Sequence, residues 1–154
     1  MNIYLVQHGE AVSKDIDSDR PLSDQGVKDI EKMAVFLGAA GIQVDRILHS
    51  GKTRARQTAE LFANRLLSGD QIDSVPDINP NDPVQVFAEG INDWPEDTMV
   101  VGHLPFMARL VSYLLTGQDN VTLVTYTPGS VVCLELNNDL QWSLLWMHRP
   151  ELVK

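Results

Sequence analysis

Short apolar runs alternate along this chain with longer segments in which apolar residues recur at helical spacing. That alternation is typical of an α/β fold, in which helices cover both faces of a parallel sheet. The last two runs are joined by Asn137-Asn138-Asp139, a turn signal that predicts an antiparallel hairpin. We therefore expect a single-domain three-layer sandwich over residues 1–154, with a mostly parallel central sheet and a C-terminal antiparallel hairpin. The predicted strands are 3–6, 46–49, 71–76, 98–101, 130–136 and 141–147; the predicted helices lie within 23–38, 55–66 and 107–117; and residues 79–92 are ambiguous.

The charge of the chain excludes some classes of partner. It carries 21 acidic and 12 basic residues, a formal net charge of −9 at pH 7. General binding to nucleic acid or to an anionic membrane needs a basic surface that releases counterions, so neither partner is expected. An anionic substrate would need a local cluster of arginines, which makes the positions of the arginines informative.

The chain begins directly on a predicted strand, and it has no apolar run as long as a membrane span and no signal-peptide pattern. We expect a cytoplasmic protein, and its oligomeric state stays open. The single cysteine, Cys133, lies in the apolar run Val131–Leu134. It is expected to be a buried core residue with no disulfide partner and no catalytic role.

Three predicted strands end in residues that can carry chemistry. His8 follows the first strand, Arg54 follows the strand at 46–49, and His103 follows the strand at 98–101. The carboxyl ends of parallel strands meet at one edge of a sheet, where α/β folds bind ligands, so these side chains are expected to converge. Gly9 and Gly102 would let a ligand approach the backbone closely. The alternatives are a strand-end hydrogen bond for His8, a solvated helix position for Arg54 and a core position for His103.

Sequence motifs surround these three residues. They are His8-Gly9, Ser50-x-x-x-Arg54-Ala55-x-Gln57-Thr58 and Gly102-His103-x-Pro105. Together they resemble the three signatures of the histidine phosphatase superfamily, which has the phosphoglycerate-mutase-like fold. The segment Arg20-Pro21-Leu22-Ser23-x-x-Gly26 and the Gln57-Thr58 pair further resemble its SixA-type phosphohistidine phosphatase branch.

The resemblance implies a phosphatase that hydrolyses a phosphomonoester or a phosphoramidate through a phosphohistidine intermediate at His8, with His103 and Arg54 as the other catalytic residues. Arg54 and Arg20 would bind phosphoryl oxygens, each charge-assisted contact contributing about 1.5–3 kcal/mol. His103, if protonated, would add a third cationic donor. No metal or other cofactor is expected, because the histidines lack ligand spacing and the arginines would repel a cation. The expected substrate-binding residues are Gln7, Gly9, Arg20, Arg54, Gly102 and His103.

One position departs from the family pattern. The superfamily has an arginine immediately before the nucleophile, whereas this chain has Gln7. A glutamine amide can donate hydrogen bonds but carries no charge. Loss of one transition-state donor costs on the order of 100- to 1,000-fold in rate. Two hypotheses stay open: a phosphatase of low or specialised activity, or a pseudophosphatase that binds a phosphorylated group without rapid turnover.

The interval between Thr58 and Met99 is short, and its length helps to predict the class of substrate. Sugar-phosphate members of the superfamily carry extra segments that cover the site, so an open site is expected here. An open site suits a phosphorylated histidine on a protein, such as a phosphotransfer domain, and a small phosphomonoester is the alternative. A phosphohistidine also relaxes the need for a proton donor, because its leaving imidazole can be protonated on its far nitrogen. The candidate donors, among which the sequence does not choose, are Glu10, Asp82, Glu89 and Glu96.

Overall fold

Strands and helices alternate along the protein in the computed structural model, which describes residues 1–154. The strands are β1 (Asn2–Gln7), β2 (Arg46–His49), β3 (Ile72–Ser74), β4 (Thr98–Gly102), β5 (Val131–Leu136) and β6 (Trp142–His148). The helices are α1 (Asp24–Ala39), α2 (Thr53–Leu66), α3 (Val84–Ile91) and α4 (Phe106–Thr116), followed by a short 3₁₀ helix at Pro150–Leu152.

The strands form one six-stranded sheet in the order β3-β2-β4-β1-β5-β6. β3, β2, β4 and β1 run parallel to one another, while β5 is antiparallel to β1 and β6 is antiparallel to β5. The predicted mostly parallel sheet with a C-terminal antiparallel hairpin is therefore confirmed. Because β1, β2 and β4 are adjacent and parallel, their carboxyl ends lie together at one edge of the sheet.

The residues of β1 alternate between two hydrophobic cores. Tyr4 and Val6 pack in the core that also contains buried side chains of α1 and α2. Ile3 and Leu5 pack in the core that contains buried side chains of α3 and α4. A strand covered by helices on both faces is apolar along its whole length, which is why residues 3–6 read as a continuous apolar run. The predicted three layers are confirmed.

Local capping signals set several helix boundaries. Ser23 precedes α1, and its Oγ accepts a hydrogen bond from the Gly26 N–H at 3.0 Å, as the sequence predicts for an N-cap serine. Gly117 ends α4 with φ of 79°, a left-handed conformation that glycine adopts without steric cost. α2 begins at Thr53, two residues before the predicted segment 55–66, so Arg54 lies in its first turn.

Other elements complete or correct the prediction. β3 is shorter than the predicted 71–76, and α3 occupies part of the ambiguous segment 79–92. Cys133 is buried, as predicted. None of the helices combines the length and the apolar character that crossing a membrane requires. Three tryptophans are partly buried against the two cores: Trp94, Trp142 and Trp146.

Candidate active site

His8 is the first residue after β1, and its hydrogen bonds define its tautomer. Its backbone N–H donates to the Gly102 carbonyl at 3.0 Å, which extends the pairing of β1 with β4. Its ring nitrogen Nδ1 lies 2.7 Å from the carbonyl oxygen of Gly9. A carbonyl can only accept, so Nδ1 carries the hydrogen and Nε2 keeps a free lone pair. Arg54 Nε donates to this lone pair at 3.4 Å.

The protonation state of His8 suits a nucleophile. Burial lowers the pKa of His8 from 6.5 to about 4, and the charges of Arg54 and Arg20 lower the pKa as well, while the hydrogen bond to Gly9 opposes them. The imidazole is therefore neutral at neutral pH. Only the neutral ring has a nitrogen lone pair with which to attack phosphorus.

His103 follows β4 and lies directly beside His8. The two ring centroids are 5.0 Å apart, with the ring planes tilted by 53°. His103 is 2% exposed, and its Nε2 lies 2.6 Å from Ser50 Oγ. Burial lowers the pKa of His103 from 6.5 to about 3, and His8 and the surrounding cations lower it further. The lowered pKa favours the neutral ring, whereas the predicted role of His103 as a cationic donor requires the protonated ring.

Two arginines without carboxylate partners border the histidines. Arg54 lies at the start of α2, and Arg20 is close enough to lower the pKa of Arg54, after burial as the larger cause. Arg20 has φ of 49°, in the left-handed region, and its Nε donates to the Val12 carbonyl at 3.1 Å. Asp17, a candidate ion-pair partner of Arg20, instead accepts a hydrogen bond from a backbone N–H at 2.9 Å. None of the ion pairs in the protein involves either arginine, so both guanidinium groups remain available to an anion.

The Gln57-Thr58 pair holds two loops against α2. Thr58 Oγ1 accepts a hydrogen bond from the Gly9 N–H at 3.0 Å and donates to the Arg54 carbonyl at 2.8 Å. Gln57 Oε1 accepts from the Leu22 N–H at 2.7 Å. The loops that carry His8 and Arg20 are thereby fixed to the helix that carries Arg54. The sequence motif includes both residues, but reasoning from the sequence assigns neither of them this positioning role, because their partners are distant along the chain.

Gly9 and Gly102 lie close to side chains of the hydrophobic core. The sequence predicts that their missing side chains make room for a ligand. A Cβ on Gly9 would lie 2.9 Å from Ile30 Cγ1, and a Cβ on Gly102 would lie 2.6 Å from Met107 Sδ. Both spaces are filled by core side chains, so Gly9 in the loop after β1 packs closely against α1, and Gly102 at the end of β4 packs closely against α4. Their part in substrate binding stays a prediction. The backbone of Gly9 still contributes to the site through its carbonyl, which holds His8.

Gln7 ends β1 in register with Gly102. Its Oε1 and the Nδ1 of His103 are both buried without a hydrogen-bond partner. Buried polar atoms nearly always have partners, so an unpaired atom needs an explanation. These two atoms belong to residues at the ends of the adjacent strands β1 and β4. Gln7 therefore places no positive charge before His8, and its Oε1 makes no hydrogen bond.

The candidate proton donors lie in different environments. Glu96 precedes β4 at the opposite edge of the sheet and pairs with Arg46 at 3.7 Å, which removes it from the site. Asp82 accepts a hydrogen bond from a backbone N–H of its own loop at 2.8 Å. Glu89 is exposed on α3, and Glu10 is exposed two residues after His8. Glu10 is therefore the candidate nearest to His8 along the chain.

Residues that match no signature have structural or surface contacts. His49 Nδ1 accepts a hydrogen bond from the Gly51 N–H at 3.0 Å, and Arg56 pairs with Glu60 on the surface of α2 at 3.1 Å. His148 packs edge-on against Phe36. No group of three or more His, Cys, Asp or Glu side chains is arranged to hold a metal ion.

Stability should depend on pH through His103. Its pKa is about 3 in the folded protein and about 6.5 in the unfolded chain. Between these values the unfolded state binds a proton that the folded state does not, so stability is complete above pH 6.5 and falls as the pH falls toward 3. From about pH 7.5 to about pH 4.5, His103 should account for a loss of about 2–3 kcal/mol.

Urea unfolding at the two pH values tests this expectation. His103→Gln should show a smaller loss of stability on acidification than the wild type, whatever its absolute stability. His148→Gln, which alters a histidine outside the site, should retain the wild-type dependence. Equal dependence in the His103→Gln variant and the wild type would show that His103 is not a buried neutral histidine.

Comparison with known proteins extends these observations. A family model described as "Histidine phosphatase superfamily (branch 1)" matches residues 3–79. The phosphohistidine phosphatase SixA of Escherichia coli (strain K12) is 25% identical to this chain over 155 aligned residues, which cover 97% of the chain and 94% of the relative. An uncharacterized protein of Picosynechococcus sp. is 30% identical over 125 residues, 77% of the chain and 75% of the relative. The solved structure of the protein histidine phosphatase SixA complexed with tungstate matches with a TM-score of 0.86 and 24% identity, over 97% of both chains.

Proposed function

The chain belongs to the histidine phosphatase superfamily, and we propose that it is a phosphatase whose nucleophile is His8 and whose substrate is a phosphorylated histidine on another protein. The observation that carries this proposal is the hydrogen bond from Nδ1 of His8 to the Gly9 carbonyl, which leaves Nε2 free beside Arg54. The neutral state of the ring, favoured by burial, supports the same role.

In the first step, the Nε2 lone pair of His8 attacks phosphorus, and a new N–P bond forms. The bond from phosphorus to the substrate's histidine nitrogen breaks, and its electron pair stays with that nitrogen. A proton on the other nitrogen of the substrate ring lets the ring leave as neutral imidazole. Arg54 and Arg20 stabilise the charge on the equatorial oxygens, since neither guanidinium is paired with a carboxylate.

In the second step, water attacks the phosphorus of phosphorylated His8. The bond between phosphorus and Nε2 breaks, its electron pair returns to Nε2, and inorganic phosphate leaves. The anionic phosphoryl group raises the proton affinity of neutral His103, which could then donate a hydrogen bond to an oxygen. No acidic side chain is needed for the departure of a weakly basic imidazole. Of the candidate acids, Glu10 and Glu89 are exposed, Asp82 bonds within its own loop and Glu96 pairs with Arg46.

The position of the site at the edge of the sheet suits a protein-borne substrate. Five surface clefts, with volumes between about 280 and 370 Å³, are lined by none of His8, Arg20, Arg54 and His103. A small phosphomonoester is normally enclosed by a pocket that contacts most of its surface. A phosphohistidine on a folded protein needs access to only one projecting side chain. The similarity to the phosphohistidine phosphatase SixA of Escherichia coli points to the same substrate class.

A second candidate function is binding of a phosphorylated group with little turnover. It is favoured by Gln7, whose uncharged side chain occupies the position before the nucleophile and makes no hydrogen bond through Oε1. The unpaired arginines and the free Nε2 of His8 would serve binding as well as catalysis. The two functions differ in one measurable property, which is release of inorganic phosphate over many turnovers.

Phosphate release from matched substrates tests the proposal. We expect a phosphohistidine peptide to be hydrolysed on the order of 100-fold faster than the corresponding phosphoserine peptide, because only the alkoxide leaving group requires a strong acid. His8→Ala measures the background loss of phosphate from phosphohistidine. Hydrolysis of phosphoserine without hydrolysis of phosphohistidine would contradict the substrate class, and binding without release from either peptide would support the second candidate.

A further inference from the structure

The beginning of α2 carries the opposite charge from the one that stabilises a helix. Backbone N–H groups give the N-terminus of a helix a partial positive charge, so acidic first-turn residues and a Ser, Thr, Asp or Asn cap are favoured. Here the N-cap residue is Lys52, which makes no side-chain capping bond, and the first turn contains no acidic residue. Arg54 lies within that first turn. Two cations at the positive end of a helix destabilise it unless an anion binds there.

Lys52 lies between the residues that contact the two histidines. Ser50, two residues before it, bonds to Nε2 of His103, and Arg54, two residues after it, bonds to Nε2 of His8. The backbone N–H of Lys52 donates to Ser50 Oγ at 3.4 Å. Gly51 has φ of 89°, the turn that brings this segment from β2 into α2.

The ammonium group of Lys52 has no partner within the protein. It forms none of the ion pairs, and no side-chain hydrogen bond involves it. The residue is nevertheless only partly exposed. Its charge is among those that lower the pKa of His103, after burial, His8 and Arg54. The charge therefore acts on the site itself.

The site lacks two of the charges that its family pattern would provide. Gln7 stands where the family pattern has an arginine, and burial favours the neutral form of His103. We propose that Lys52 binds an oxygen of the phosphoryl group and supplies the charge that Gln7 lacks. This role rests on the proposed function, because it assigns Lys52 to the same phosphoryl site. Lysine acts there as a point charge, without the planar two-point geometry of arginine.

Rate and anion affinity test the proposal separately. The rate is kcat/KM for the phosphohistidine peptide, and the affinity is measured by inhibition or calorimetry with tungstate. Lys52→Met should lower both by about 10- to 100-fold, the worth of one charge-assisted hydrogen bond. Lys52→Arg should retain most of both. Lys32→Met, which removes a lysine from a cleft beside the C-terminus, should leave both unchanged.

A double variant tests the link to Gln7. Gln7→Arg should raise the rate far more in the Lys52→Met background than in the wild type, because one added charge can replace the other.

Lys52→Ser should raise the midpoint of thermal unfolding, since it introduces a favoured cap and removes a cation, while lowering tungstate affinity. A lysine with a purely structural role would not give opposite changes in stability and affinity.

The outcomes separate this inference from the proposed function. If Lys52→Met turns over phosphohistidine and binds tungstate within twofold of the wild type, Lys52 has no role in the site although the phosphatase function stands. Equal effects of Gln7→Arg in both backgrounds would overturn the compensation. If the wild type releases no phosphate from any donor but binds tungstate through Lys52, the inference stands and the hydrolytic function fails.

Discussion

Replacing His8 with alanine is expected to abolish the covalent phosphoenzyme and to lower kcat by at least about 10⁴-fold, because no other group can form the nitrogen–phosphorus bond. His8 is the residue whose Nδ1 is held by a carbonyl and whose unprotonated Nε2 accepts a hydrogen bond of 3.4 Å from Arg54. His103, the other histidine of the site, has its Nε2 bonded to Ser50 and its Nδ1 buried. Rapid acid-free quenching with labelled phosphohistidine, followed by peptide mapping, measures the label on His8.

The matched control for this variant is His148→Ala, which removes a histidine that packs against Phe36 outside the site. It should retain the wild-type kcat and the label on His8. Tungstate binding should survive in His8→Ala, because the arginines remain. A phosphoenzyme that persists in His8→Ala, or a kcat within tenfold of the wild type, would remove His8 from its role as nucleophile.

Replacing Arg54 with methionine is expected to lower kcat/KM by about 100- to 1,000-fold, because the transition state loses one preorganised cationic donor. Arg54 has no carboxylate partner, and its Nε bonds to the nucleophile. Its charge lowers the pKa of His8, so the variant should also show a higher pKa for His8 in an NMR titration. Steady-state kinetics and the titration together separate loss of the charge from misfolding.

Arg56→Met provides a matched control on the same helix. Arg56 is exposed and pairs with Glu60, a surface contact that contributes little to stability. It should leave both kcat/KM and the pKa of His8 unchanged. Arg54→Lys should fall between the wild type and Arg54→Met, because it retains the charge but loses the planar fork of donors. Equal activity of Arg54→Met and Arg56→Met would contradict the assigned role of Arg54.

Much of the fold follows from local patterns in the sequence. The apolar run of β1, the serine that caps α1 and the glycine that ends α4 each act over a few residues, and the structure confirms all three. Parallel connections then bring the ends of β1, β2 and β4 together, which places His8 beside His103. The convergence of His8 and His103 could therefore be predicted from the parallel direction of the strands and from the residues at their ends.

The remaining details depend on contacts between distant parts of the chain. Nothing near Gly102 in sequence indicates that Met107 fills the space beside it, so the glycine reads as a ligand contact. The neutral state of His103 depends on burial and on cations from other loops. The availability of Arg20 depends on a left-handed backbone conformation and on a carbonyl of a neighbouring segment. Such effects arise from tertiary packing, for which the local sequence has no signal.

A crystal structure with orthovanadate tests the central claim most directly, because vanadate adopts the geometry of the phosphoryl-transfer transition state. The arrangement described here predicts vanadium bonded to Nε2 of His8, with equatorial oxygens within hydrogen-bonding distance of Arg20, Arg54 and His103. Vanadate bound at another surface, or bound here without contact to Nε2 of His8, would contradict it.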